Sequence, residues 1–288
     1  MYLTPTVICQ SHQAFGSLRS SYADWALNYK CNYYNLETLN DELHTKTEQD
    51  LFLFHVNIRS VIKNEDDLTE NISAMRFLSE IIAITEIKLQ ANRIFHSKLQ
   101  GYICIWADSL TCAGGMAFLI KSILNYQIRD DLNIFVPGCE NRWIEINHPD
   151  KNGIVIGVVY RHPQHDHSEF QEAFQENILQ LNKSKKVFYP CGDYNINLLQ
   201  SDANNKIASY LNSVTSSGCG SFCLIDKPTR LGESSTTLLD HFYTNNLTTP
   251  ITSGILESDI SDHLPTFVLS RSYIPPCSSA SYKFRRHF

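Results

Sequence analysis

Lys186 to Leu199 reads KVFYPCGDYNINLL, and the fold is decided there. Val187-Phe188-Tyr189 is an apolar run of the kind a buried strand needs. Gly192-Asp193-Tyr194-Asn195 ends the run, and a glycine lets the chain turn where a side chain would clash. An acid and an amide then stand at i and i+2, a spacing that on an extended backbone points both side chains the same way. A carboxylate can take a proton from water, and an amide beside it can donate to a phosphate oxygen. Read alone, Gly-Asp-x-Asn is also an ordinary turn.

The rest of the chain repeats the pattern of an apolar strand ending in a polar group. Asn57 ends Leu51-Phe52-Leu53-Phe54-His55-Val56, and Glu86 ends Ile81-Ile82-Ala83-Ile84-Thr85. Tyr160-Arg161 ends the run from Ile154, while Ser261-Asp262-His263 opens the strand Thr266-Phe267-Val268-Leu269. A sheet collects strand ends along one rim, where ligand sites form in α/β folds.

With these residues in place the chain resembles the endonuclease/exonuclease/phosphatase superfamily. More narrowly it resembles the apurinic-type endonuclease domain of non-LTR (LINE-type) retrotransposons. The matching segments are HVNIRS, IIAITEIKL, AGGMAFLIK, VVYRHP, YPCGDYNINLL, DKPTR, TLLDHFYTN and SDISDHLP, in family order over roughly residues 50–270.

The resemblance implies a Mg²⁺-dependent DNA endonuclease, with Mn²⁺ as the substitute ion. It nicks one strand of target DNA and leaves a 3′-hydroxyl. It assigns Glu86 and Asp262 to the metal, with Asn57 orienting the first. Asp193 holds and deprotonates the attacking water, and Asn195 positions it. His263 donates to a phosphoryl oxygen, and Asp240, from Leu238-Leu239-Asp240-His241, pairs with that histidine. Tyr160 bonds the phosphate, Arg161 sits on the DNA backbone, and Ser261 binds substrate beside them. Arg59 stands where cellular relatives carry a second acid, which favours the retrotransposon branch and one principal metal. Ile87 stands where threonine is frequent.

The partners implied are DNA and, in a longer polyprotein, the element's RNA and reverse transcriptase, no motif of which occurs in this chain. The alternatives are another phosphoesterase of the superfamily, a phosphatase or RNA nuclease, and a non-catalytic remnant that only binds DNA or protein.

Bulk properties are compatible with this reading. The 288 residues are 43% hydrophobic and 19% charged, enough for a packed core and against wholesale disorder. The net charge of −6 argues against a nonspecific DNA coat but not against an enzyme that cuts locally. The nine cysteines form no C-x-x-C pair and read as reduced thiols of a nuclear or cytoplasmic protein. Neither a signal peptide nor an apolar run of membrane-spanning length is present.

Along the chain, residues 1–49 read as a variable, loosely packed leader, with a short helix over 34–43. Residues 50–270 are the catalytic domain, and 271–288 a Ser- and Pro-rich tail or linker. Helices are expected over 66–80, 169–182 and 205–214, and strands over 51–57, 81–86, 102–106, 115–120, 142–147, 154–160, 223–225, 240–244 and 266–269. Residues 228–237 read as a loop. Helices that alternate with hairpin-paired strands favour mixed sheets. The expected architecture is a four-layer α/β/β/α sandwich of two mixed β-sheets flanked by helices.

Overall fold

The computed structural model describes residues 31–89, 95–107, 109, 111, 113–147, 153–215, 220–232, 235–246 and 248–271. Among them, β2 (Leu51–Asn57) shows how the core forms. Leu51 and Leu53 face the second sheet, while Phe52, Phe54 and Val56 face an outer helical layer. A strand buried on both faces loses the polar alternation of a surface strand, hence the unbroken apolar run.

The first sheet has the order β1-β14-β15-β2-β3-β5-β4. Its members are β1 (Cys31–Tyr34), β2, β3 (Ile81–Thr85), β4 (Tyr102–Ala107), β5 (Met116–Lys121), β14 (Ile251–Leu256) and β15 (Thr266–Ser270). Helices α1 (Leu36–Leu43) and α2 (Val61–Ser73) cover its outer face through Leu39, Leu43, Leu68 and Ile72. The second sheet has the order β10-β13-β9-β8-β7-β6. It comprises β6 (Tyr126–Ile128), β7 (Cys139–Ile146), β8 (Ile154–Arg161), β9 (Val187–Asp193), β10 (Phe222–Cys223) and β13 (Asp240–Thr244). Its outer layer is α3 (His167–Lys183), packed through Phe170, Phe174, Ile178 and Leu181, with α4 (Asn205–Thr215) beside it. The expected α/β/β/α sandwich of two mixed sheets is therefore the fold.

Strand direction places the site. β2 runs parallel to β3, and β15 runs antiparallel to β2, so the end of β2 lies beside the start of β15. In the other sheet β8 is parallel to β9, and β13 is antiparallel to β9 with Asp240 opposite Asp193. All the polar strand ends named above thus collect on one rim. Gly192 is required there: its φ is +147°, and an added Cβ would collide with the Val159 carbonyl of the neighbouring strand.

Several expectations change. Residues 31–49 are no loose leader: β1 extends the first sheet by parallel pairing with β14, and Leu39 and Leu43 are fully buried. Short polar strands escape pattern reading because half of each faces water. Residues 1–30, 148–152 and 272–288 lie outside the described ones. The second helix spans 61–73, not 66–80; Ser79 instead donates to the Phe52 carbonyl, and Glu80 is buried against Lys46 and Lys121. The 228–237 loop holds a small antiparallel pair, β11 (Arg230–Leu231) and β12 (Thr236–Thr237). No helix among the described residues is long and apolar enough to cross a membrane.

Candidate active site

One amide joins the two sheets. At the end of β2, Asn57 Nδ2 donates to Glu86 Oε1 at 3.0 Å and to Asp193 Oδ2 at 2.9 Å. Glu86 follows β3 in the first sheet and Asp193 ends β9 in the second, so two acids 107 positions apart in sequence share one donor group. Asn57 Oδ1 accepts from the Arg59 backbone N–H at 3.1 Å, which holds the turn after β2. Glu86 adopts φ +53°, a left-handed conformation that is uncommon outside glycine and marks a constrained position. Its second oxygen lies 2.6 Å from Lys88 Nζ.

Two further acidic and basic groups complete the floor. Asp240 Oδ2 accepts from His263 Nδ1 at 2.8 Å and from the Thr229 hydroxyl at 2.7 Å, all buried. Burial alone would push His263 down, but the Asp240 carboxylate outweighs it and pushes the imidazole up to about 9, so it is a cation at neutral pH. Burial opposes ionisation of Asp240, and the His263 charge and hydrogen bond overcome it, holding that carboxyl below its usual range. Asp193 goes the other way. Burial first, and the Asp240 charge second, push it up to about 7, although Asn57 and the Asn195 N–H both donate to it. Two neighbouring acids with opposed shifts separate an acceptor of protons from a permanent anion.

Each remaining expected residue has a definite place. Asn195 is not extended: at φ +49° it turns back, its N–H donating to Asp193 Oδ1 at 2.9 Å. Its side-chain amide donates to the Arg161 carbonyl at 2.7 Å and to Asp193 Oδ2 at 3.3 Å. Tyr160 is 2% exposed; burial, then Glu86 and Asp193, keep its phenol protonated. Arg161, expected on the DNA backbone, is 4% exposed and donates to the carbonyls of Tyr194, Asn195, His162 and His165. Buried carbonyls need a donor, and Arg161 supplies it to the loop that carries Asn195. Ser261 donates to the Asn57 carbonyl at 2.6 Å and accepts from the His263 N–H at 3.1 Å, which ties the Ser-Asp-His turn to β2. Asp262 stands between Arg59 Nε at 3.1 Å and Arg230 Nε at 2.8 Å.

Sequence reasoning missed three groups. His55 lies two residues before Asn57 on the same strand face, 3.9 Å from the Asp240 oxygen that has no hydrogen-bond partner. Parity along β2 was the signal that could have found it. Thr229 caps Asp240 from a stretch without periodicity, which gave no signal. Glu140 and His162 form a second buried carboxylate–imidazole pair at 2.6 Å, with the His162 ring edge-on to Tyr160.

A divalent metal is implied by the fold, and the donor chemistry fits one. Glu86 and Asn57 Oδ1 offer hard oxygens, and Mg²⁺ commonly takes one or two protein carboxylates with water and substrate filling the remainder. Asp193, Asp240 and His263 also converge, with ligand atoms within 4.8 Å of one another. That trio fits poorly, because His263 Nδ1 is committed to Asp240 and an imidazolium has no lone pair to offer.

No protein-family model matches the chain, and no curated protein matches it in sequence. Solved structures do. The Neisseria 3′ phosphatase NExo, bound to product DNA hairpin, is 14% identical, with 76% of this chain and 98% of that one covered at a TM-score of 0.57. The Xenopus laevis APE2 catalytic domain is 15% identical over 79% and 95% of the two chains, with a TM-score of 0.58. The endonuclease domain of TRAS1, a telomere-specific non-LTR retrotransposon, is 12% identical over 77% and 98%, with a TM-score of 0.54. With its two facing sheets and the polar rim they share, the chain has the fold of the endonuclease/exonuclease/phosphatase structures.

Proposed function

We propose that the chain is a divalent-cation-dependent phosphoesterase that cuts a DNA phosphodiester and leaves a 3′-hydroxyl, as the endonuclease domain of a non-LTR retrotransposon. The observation that carries this reading is the Asn57 amide bonded at once to Glu86 and Asp193. Such a bridge fixes a metal-type carboxylate and a proton-accepting carboxylate at one place, which phosphate-ester hydrolysis requires.

The geometry supports the following roles. Glu86, with Asn57 Oδ1, would hold Mg²⁺, which when bound offsets charge on the phosphoryl oxygens. Asp193 accepts a proton from water as the water oxygen bonds to phosphorus; the P–O3′ bond breaks, its electron pair leaves on O3′, and solvent supplies the proton that completes the 3′-hydroxyl. A carboxyl poised near neutral pH suits that step. His263, a cation held by Asp240, faces the charge that gathers on the phosphoryl group. Tyr160 keeps its proton and donates it as a hydrogen bond. Asn195 and Arg161 hold Asp193 and its loop in register.

The test is nicking of supercoiled plasmid with Mg²⁺, against EDTA and Asp193→Ala. Nicking abolished by both supports the reading; a folded chain that does not nick overturns it. A second reading is favoured by the phosphatase among the matched structures: release of a terminal 3′-phosphate by the same groups. Phosphate release from a 3′-phosphorylated oligonucleotide, with plasmid left intact, would select it.

A further inference from the structure

The Ser-Asp-His turn carries a group the proposed chemistry does not use. Both Asp262 oxygens face guanidinium groups: Arg59 Nε lies 3.1 Å from Oδ1 and Arg230 Nε 2.8 Å from Oδ2. The three side chains remain 42%, 41% and 37% exposed for Arg59, Arg230 and Asp262, at the mouth of the site. Each arginine engages Asp262 through Nε, and its guanidinium carries further N–H donors beyond that contact. Arg59 Nη1 lies 4.0 Å from Glu86 Oε1, so Arg59 also borders the carboxylate assigned to the metal.

Stability alone does not account for this arrangement. Exposed ion pairs contribute little. Arg59 nevertheless sits at φ +57°, a conformation that costs a non-glycine residue free energy and that the Asn57 Oδ1 bond to its N–H enforces. Arg230 is fixed as firmly from the other side. Its strand β11 bridges to His263, and the Leu264 N–H donates to the Thr229 carbonyl beside it. Two cations on backbone held by these bonds therefore stand beside the site in a chain of net charge −6. Guanidinium forks match phosphate oxygens geometrically.

We propose that Arg59 and Arg230, clipped to opposite oxygens of Asp262, form a clamp for the nucleic-acid backbone next to the cut, with Asp262 as its anchor and not as a metal ligand. The clamp rests on the DNA reading above. It supplies from Arg59 and Arg230 the backbone contact that Arg161, buried on carbonyls, does not make.

Duplex binding measured in EDTA tests it apart from catalysis. A labelled 20-base-pair duplex is titrated by fluorescence anisotropy over a NaCl series. Arg59→Ala and Arg230→Ala are each expected to weaken binding about tenfold and to lower the slope of log K against log salt by about 0.9. Arg230→Lys, which keeps the charge, should recover most of the slope, and melting curves check that each variant is folded. The informative variant is Asp262→Asn. It removes a negative charge, so simple electrostatics predicts tighter binding; loss of the anchor predicts weaker binding. Unchanged slopes in both arginine variants, or tighter binding by Asp262→Asn, would overturn the clamp. So would absence of binding by the wild-type chain in EDTA, and plasmid nicking with Mg²⁺ would then still decide the function separately.

Discussion

Asp240→Asn should uncouple the protein's stability from pH in the mildly alkaline range. His263 is a buried imidazole that the Asp240 carboxylate raises from 6.5 to about 9. A folded-state pKa above the unfolded value means the native chain keeps a proton that the unfolded chain has lost. The contribution is present in full below about 6.5 and is lost as pH rises through 9. A shift of this size corresponds to roughly 3 kcal/mol between those limits. In Asp240→Asn the hydrogen-bond geometry is nearly kept while the charge is gone. Burial then dominates, the imidazole falls below 6.5, and the slope disappears. Asp193 acts in the same direction: its carboxyl is raised from 3.8 to about 7, so its own linkage still weakens the fold as pH rises from 6.5 to about 8, and it weakens the variant less because the Asp240 charge that helps raise it is gone. Buried thiols such as Cys191 and Cys139 weaken both proteins equally near pH 9 and cancel in the difference. The assay is urea unfolding of wild type and Asp240→Asn from pH 6.5 to 9. Wild type should lose ~2–3 kcal/mol more than the variant across that range. Parallel curves would refute the view that Asp240 holds His263 as a cation.

Two other outcomes follow from the same geometry. Asp193→Asn should abolish nicking yet raise stability at pH 8 by ~2–4 kcal/mol, since a fully buried carboxyl whose pKa is raised opposes folding once ionised; a less stable variant at pH 8 counts against that assignment. Gly192→Ala should cost at least ~3 kcal/mol, read by urea unfolding or loss of folded protein, because its Cβ meets the Val159 carbonyl and its φ of +147° suits glycine alone; a near-neutral effect would mean that β8 and β9 can separate there.

The amino-acid sequence by itself determined the layers and picked out polar strand ends that gather on one rim. Runs such as residues 51–54 and 154–159 carry no polar side chain because both faces are buried, and a polar residue at the end of such a run is conspicuous. Asn57, Glu86 and Asp193 stand out in that way, whereas Asp240, at the start of its strand, is reached only through the resemblance. Short or half-wet elements such as β1, β11 and β12 do not stand out, since two to four residues carry no period.

Tertiary structure alone decided how the polar groups divide their work. Arg161 and Arg230 are both arginines beside family motifs, but one is enclosed by four carbonyls and the other stands in water against Asp262. His55 and His263 approach the same aspartate, yet burial outweighs the distant carboxylate for one and a 2.8 Å bond reverses the balance for the other. Residue type and spacing fix what a side chain can do. Its charge state and partner depend on burial and on distances across the two sheets, and those exist only after residues far apart in the chain have packed together.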